Sequence, residues 1–367
     1  MTAISTRSRA LPDCRPLLAD PDDLTLVFQP IVDLAGARVA GYEALSRFPG
    51  TATPDVWFAA AADAGVGPEL EALAVHKALA ARDALPPNTF LTVNVSPHLL
   101  GTAPIQDALH SVGDLARIVV ELTEHTAVDD VDALRRHVDG LRVRGALVAL
   151  DDAGAGYSGL QQMTTVRPQL VKLDRALVQD VDTDPTKLAL AELVGEFAGR
   201  IDAWLLAEGI ETPGELAAFA RLGTPLAQGW LLGRPAPEFR QLDPDVVRLI
   251  TAQTARARLT ESVAPLVRPV RQCAAEEPAP LVPPAVLVGP LGEPLALRLA
   301  DPRTAEAYTA PVSLRVRLSA GATETLARAM TRSPAQRFDP VVCTDETGGV
   351  VGLLRVEDLV TAAAGTR

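Results

Sequence analysis

The chain has 367 residues, enough for one large domain and a smaller one. Hydrophobic residues make up 48% and aromatics only 4%, so Ala, Val and Leu must do most of the packing. A net charge of −12 with no basic tail argues against nonspecific binding to duplex nucleic acid, but leaves open a small phosphate ligand whose charge a bound metal balances. Cys14, Cys273 and Cys343 are scattered and odd in number, which speaks against both a zinc site and a disulfide framework. No stretch reaches the roughly 18 uncharged apolar residues of a membrane span, and the N-terminus lacks a signal-peptide core. The expectation is a soluble protein of the reducing cytosol, with no membrane partner.

In chain order, residues 1–21 read as a flexible, polar leader. Across residues 22–250, short apolar runs alternate with longer amphipathic ones. The runs LTLVFQPIV, FLTVNV, RIVVEL, ALVALD, LVKLD and WLLAEG suit strands buried on both faces. Between them, Val131, Leu134, Val138 and Leu141 recur at helical spacing, with Gly145 as a stop. Asp184-Pro185 opens a helix to about 201. Thr212-Pro213-Gly214-Glu215 has the form of a capping box, and Gly223 closes that helix. Strand and helix in repetition suggest a (β/α) barrel, with an open doubly wound sheet as the rival. Residues 251–294 read as a Pro-rich linker, helical at its start. Residues 295–367 read as a small α+β module: LRVRL, a helical TETLARAM, PVVCTDETGGVVGLL with a hairpin at Asp345–Gly349, and a helical VEDLVTAAA.

Polar residues recur near the end of each apolar run. They are Glu43, Asn94, Glu121 with Glu124 beyond it, Asp151 with Asp152, Lys172 with Asp174, Glu208 with Glu211, and Gln228. Charges in Val/Leu-rich strands are unfavourable unless paired or metal-bound. In a barrel these ends converge on one mouth, where active sites lie. Asn and several carboxylates form a hard oxygen set suited to Mg²⁺ or Mn²⁺. Two cations held together clamp the attacking and leaving oxygens of a phosphoryl displacement. Lys172 is suited to hold the attacking water or to stabilise phosphate charge, and Arg47 to fork onto a phosphate. Gly154 and Gly156 give the following loop backbone freedom near a ligand. Asp174 pairs with Lys172 or Arg175 in the simplest reading. His76, His98, His110, His125 and His137 lie apart and read as surface or packing residues.

The ordered segments GYEALSR, TVNVSP, VVELTE, LDDAGAGYSGL, VKLDR, LAEGIET and QGWLLGRP resemble the EAL family of cyclic di-GMP phosphodiesterases over roughly residues 22–247. The resemblance implies an EAL-type modified (β/α)₈ barrel, two Mg²⁺ or Mn²⁺ ions, and hydrolysis of one phosphodiester of cyclic di-GMP to linear pGpG. By the same resemblance Glu43, Asn94, Glu121, Asp151 and Asp152 match metal ligands, and Lys172 the lysine that holds the catalytic water. Glu208 matches a metal-binding or general-base glutamate. Gln29 and Arg47 match substrate contacts, and Glu211 and Gln228 further pocket positions. Glu124 matches a glutamate that steadies the loop after the Asp pair, a loop linked to homodimerisation. Ala153, Ala155 and Gly159 depart from the family's usual residues there and imply a looser loop. The C-terminal segment DPVVCTDETGGVVGLLRVEDLV resembles half of a CBS pair, a class of module that often binds adenine nucleotides. Arg355 stands where a Thr or Ser usually precedes the acid, here Asp358, so a structural or dimerising role competes with nucleotide binding. A catalytically weak cyclic di-GMP receptor signalling through that module is the alternative to an enzyme, and an inert scaffold is a third reading.

Overall fold

The computed structural model describes the chain apart from residues 1–11, 124–129, 154–156, 275–282, 302–303, 346 and 366–367, and apart from the side chains of 152–153, 157–161, 258–261 and 364–365. It divides into two compact units, Met1–Thr254 and Ala255–Arg367.

The first unit is a closed barrel of eight strands in sequence order: β1 Thr25–Asp33, β2 Arg38–Arg47, β3 Phe90–Val95, β4 Ile118–Leu122, β5 Leu147–Ala153, β6 Leu170–Leu173, β7 Trp204–Ala207 and β8 Leu226–Ala227. Neighbours from β2 to β8 run parallel, whereas β1 is antiparallel to both β2 and β8. The apolar pattern predicts one strand in this opening region and the structure has two. RVAGYEALSR mixes charge, Gly and small residues, so β2 lacks the Val/Leu density of the other strands. A hairpin joins β1 to β2, with Ala37 in the left-handed region (φ 48°), so no crossover helix covers their outer face. Residues 236–242 cover it instead. Phe239 packs on Phe28 and Tyr42, with ring centroids 4.2 and 4.9 Å apart, and the Tyr42 hydroxyl donates to the Arg240 carbonyl (3.1 Å).

The remaining connections are helical. α1 is Arg15–Ala19, α2 Pro54–Asp63, α3 Gly67–Ala81, α4 Ala103–His110, α5 Val131–Val143, α6 Tyr157–Val166, α7 Arg175–Val178, α8 Pro185–Arg200, α9 Pro213–Arg221 and α10 Pro244–Glu261. The start signals act as the residues predict. Asp184 accepts from the Thr186 and Lys187 amides to cap α8. At α9 the Thr212 hydroxyl accepts from the Glu215 amide while the Glu215 carboxylate accepts from the Thr212 amide, a complete capping box. Part of the expected leader is docked rather than loose. Cys14 and Leu17 are buried against Trp57, Ala61 and Leu70, because an apolar pair on one short turn finds a matching gap between α2 and α3.

In the second unit a four-stranded sheet has the order β12–β11–β10–β9, formed by β9 Arg271–Ala274, β10 Ala285–Val288, β11 Pro294–Ala300 and β12 Ala307–Pro311. Two of these strands fall inside the expected linker, which is therefore partly sheet. The prolines there bound the strands instead of abolishing them. A second sheet, β13 Arg315–Arg317, β14 Val341–Thr344 and β15 Val350–Leu354, packs with α11 Ala322–Met330 and α12 Val356–Gly365. The hairpin expected at Asp345–Gly349 joins β14 to β15. There the Asp345 carboxylate accepts from the Thr347 and Gly349 amides. Among the described residues no helix is long and apolar enough to cross a membrane.

Candidate active site

Strand periodicity builds the site. Ile31, Val119, Ala149, Leu170, Leu206 and Leu226 form one apolar layer inside the barrel. Successive side chains on a strand alternate faces, so the residue two positions further on also points inward. From that layer the next inward residues are Glu121 on β4, Asp151 on β5, Lys172 on β6, Glu208 after β7 and Gln228 after β8. β1 runs the other way, so its equivalent is Gln29, two residues earlier, which stands opposite Glu43 in the β1–β2 register. Asn94 stands beside Glu121 in the β3–β4 register.

At the centre is the Lys172 ammonium, 1% exposed. Its Nζ lies 2.6 Å from Glu208, 2.8 Å from Glu121, 3.1 Å from Asp151 and 3.6 Å from Glu43. The Glu43 carboxylate also accepts from Asn94 Nδ2 (3.1 Å) and Gln228 Nε2 (2.7 Å). Four carboxylates against one ammonium leave a surplus of negative charge in a place largely closed to water.

The electrostatics follow from that surplus. Burial by itself lowers the Lys172 pKa, but the four surrounding acids override this and hold it well above its ordinary value. Burial would also raise Glu43, yet Lys172 and the hydrogen bonds from Gln228 and Asn94 bring it below its ordinary value. Glu121 lacks such help. Desolvation pushes it well up, opposed by Lys172 and reinforced by Glu43, Asp151 and Glu208. Desolvation, with repulsion from Asp151 and Glu43, likewise pushes Glu208 up to about 8 against the pull of Lys172.

The donor set fits a divalent cation in its chemistry. It is all oxygen, anionic and drawn from rigid strands. Glu121 Oε1 and Gln228 Oε1 are buried with no hydrogen-bond partner among the described residues, so acceptor capacity is left over. Among the described residues no three acids close on one cation-sized point, because the Lys172 ammonium stands where they converge.

Of the other predicted residues, Gln29 is buried and its Nε2 donates to the Gly233 carbonyl (3.1 Å). Arg47, at the end of β2, donates to the Ser46 carbonyl and lines a cavity of about 400 Å³ shared with Glu43, Asn94, Ser96 and Asp151. Glu211 sits apart from the carboxylate ring, its Oε1 2.7 Å from Arg175 Nη2. Asp174 pairs with neither Lys172 nor Arg175. Its side chain caps α7 by accepting from the Ala176 amide, because it stands at the first turn of a helix. The Asp152 side chain, all of Glu124, and the loop positions Ala153, Ala155 and Gly159 as side chains lie outside the described residues.

Three supporting roles are not legible in the sequence alone. Glu71 on α3 accepts from both the Ser96 amide (2.6 Å) and the Ser96 hydroxyl (2.7 Å), fixing the chain just beyond Asn94. Thr92 is buried opposite Glu43 in the β2–β3 register. Glu215 has a second task beside the cap: it accepts from the Glu211 amide (2.8 Å) and the Asp180 amide (3.1 Å), and so anchors the loop after Glu208. Gly209 in that loop has φ +77°, and a Cβ there would also strike the Arg175 side chain. The capping box was a signal for Glu215; Glu71, on a helix remote in sequence, offered none.

In the C-terminal unit, both residues of the CBS-like Arg355–Asp358 pair are engaged in ion pairs. Asp358 accepts two hydrogen bonds from the Arg268 guanidinium (3.0 Å each), and Arg355 pairs with Glu357 (3.1 Å).

Residues 15–235 match the family model of the EAL domain. The cyclic di-GMP phosphodiesterase NbdA of Pseudomonas aeruginosa is 29% identical over 233 residues, which span 59% of this chain and 29% of that protein. A standalone EAL protein from Vibrio cholerae O395, solved with cyclic di-GMP bound, is 25% identical; the match covers 61% of this chain and 97% of that one, with a TM-score of 0.53. BlrP1 of Klebsiella pneumoniae, solved with manganese and cyclic di-GMP, is 32% identical over 60% of this chain and 58% of its own, with a TM-score of 0.55. The same protein is also known as a calcium complex with cyclic di-GMP. The chain spans less than half the length of the curated relatives it matches.

Proposed function

This chain belongs to the EAL domain family, and from that premise together with the buried carboxylate ring we propose that it hydrolyses one phosphodiester bond of cyclic di-GMP, releasing linear pGpG. The observation that carries the reading is the excess of acid around Lys172: four carboxylates from four segments, one of them with a buried oxygen that nothing satisfies.

Glu43, Asn94, Glu121 and Asp151, with Asp152, would hold two divalent cations, Mg²⁺ or Mn²⁺. Bound there, such ions supply positive charge against the phosphate and acidify water at the site. The protein's own groups do the rest. Lys172 Nζ gathers the four acids within 3.6 Å of itself and, as its contacts rearrange around bound cations, presents an N–H donor to an attacking water. Glu208, 2.6 Å from Lys172 Nζ, accepts that water's proton at its carboxylate when ionised. Asn94 and Gln228 hold Glu43 ionised and oriented by donating to its two oxygens. Arg47, at the rim of the cavity, offers a guanidinium to a phosphate oxygen. Gln29 and Glu211 frame the dinucleotide from β1 and the loop after β7. Homodimerisation, a cytosolic location and regulation by the C-terminal unit belong to the same proposal.

The test is incubation of the purified chain with cyclic di-GMP and Mg²⁺ or Mn²⁺, with nucleotides resolved by chromatography. The expected result is time-dependent pGpG that vanishes with chelator. Dinucleotide recovered intact under both metals overturns the hydrolytic reading.

A further inference from the structure

We propose that Arg315, Arg317 and Arg328 form a binding site for a small phosphate-bearing anion in the C-terminal unit. β13 reads Arg-Val-Arg. Val316 is buried in the core with Ala329 and Val341, so alternation turns Arg315 and Arg317 together onto the opposite, exposed face. β13 is an edge strand of its sheet, with β14 on one side only. Arg328 from α11 and the hydroxyl residues Ser319 and Thr344 complete the wall of a hollow of about 430 Å³, and no carboxylate is among its lining residues. That volume lies within the range of small-ligand sites.

The charges of this hollow stand unbalanced. Arg328 lies 3.8 Å from Glu324 one helical turn away, an exposed pair of the weak kind. The Arg315 and Arg317 side chains have neither ion pair nor hydrogen bond among the described residues. Elsewhere in the unit, Arg268 and Arg355 are matched to Asp358 and Glu357. Two guanidiniums on one face of a strand repel each other, and an anion between them relieves that repulsion. The unit contains 13 arginines, 12 acids and no lysine, within a chain of net charge −12. Arginine presents a planar fork that matches phosphate oxygens two at a time, and a pair at alternate strand positions can clasp one or two phosphoryl groups. The hollow is distinct from the Arg355–Asp358 segment and independent of the barrel's chemistry.

Titration calorimetry on the full chain, in low salt with chelator present, uses sodium tripolyphosphate and ATP as probes. Saturable binding of at least one is expected, weakened tenfold or more in the double variant Arg315→Gln/Arg317→Gln and severalfold in Arg328→Gln, while Arg298→Gln leaves it unchanged. Equal affinities for the two probes mean that the phosphates alone are read; tighter ATP means that a nucleoside adds contacts. An unchanged melting temperature shows that the double variant is folded. Absence of binding by both probes at millimolar concentration, or wild-type affinity in the folded double variant, overturns the proposal.

Discussion

Two buried cations, one in each unit, are stabilised in opposite ways. Lys172 in the barrel, 1% exposed, is ringed by four carboxylates. Arg332 in the C-terminal unit, 9% exposed, is held by neutral oxygens: the carbonyls of Ala329 (3.1 Å), Arg337 (2.9 Å) and Asp339 (2.7 Å) and the Ser313 hydroxyl (2.9 Å). Burial lowers the Arg332 pKa, with Asp339 opposing, whereas the acids around Lys172 raise its pKa despite burial. The arginine is a closed structural account: each guanidinium nitrogen meets an acceptor, and the surrounding turn is pinned. The lysine is an open one, since its neighbours carry more negative charge than it neutralises. Such a surplus is the feature on which the proposed cation binding rests.

The contrast can be broken first at the ring. Glu43→Ala removes the acid that Asn94, Gln228 and Lys172 all address, and turnover of cyclic di-GMP is expected to fall by about a thousandfold or more, the size typical of losing a central electrostatic group. Chromatographic assay of pGpG checks it; near-normal turnover would remove the ring from the chemistry. Lys172→Met leaves four acids facing one another without a cation. Breaking a buried charge cluster in this way is expected to destabilise the barrel by about 3–5 kcal/mol in denaturant unfolding. Arg332→Met, by comparison, strips three carbonyls and a hydroxyl of their donor and takes the facing cation from the single carboxylate of Asp339 rather than from four acids, so a smaller loss of about 2 kcal/mol is expected, with hydrolysis unaffected.

Next comes pH. A carboxyl whose folded pKa exceeds its unfolded value binds more protons when folded, so stability falls as pH rises between the two. For Glu208 that window runs from its ordinary 4.5 to about 8. Glu121 acts in the same sense, and Glu43, whose pKa is lowered, in the opposite one. The metal-free chain should therefore melt several degrees lower at pH 8.5 than at pH 5.5, and Mn²⁺ should recover more of the loss at the higher pH. Melting curves with and without Mn²⁺ decide this, and a Mn²⁺ shift independent of pH would contradict it. The smallest effect is at a cap. Thr212→Ala is expected to lower stability by about 1 kcal/mol by unmaking half of the α9 capping box, measured by denaturant midpoint.

Much of the barrel was legible because its signals are local. Val/Leu runs mark β3 to β7, Asp184 and Thr212 announce α8 and α9, and Asp345–Gly349 announces a hairpin. The regions that were not legible lacked such signals or depended on remote partners. β2 is too polar to read as a strand until β1 and β3 flank it. Cys14 and Leu17 look like leader until α2 and α3 provide a gap. The strands at 271–274 and 285–288 hide among prolines. Asp174 resembled a partner for Lys172, and only the start of α7 shows that it is a cap. Glu71 gave no hint at all, since Ser96 comes to it from 25 residues further along the chain.

The residue order alone determined which groups point into the barrel, because period two along a strand is a property of the backbone and needs no knowledge of neighbours. It also determined the helix starts, where a side chain bonds an amide two or three positions away. Only closure of the eight strands decided that Glu43, Glu121, Asp151 and Glu208 share one ammonium, and that Glu211 turns to Arg175 instead. Those distances arise between residues up to 165 positions apart, from Glu43 to Glu208, and Coulomb interactions at 3 Å depend on position in space and not on position in the chain.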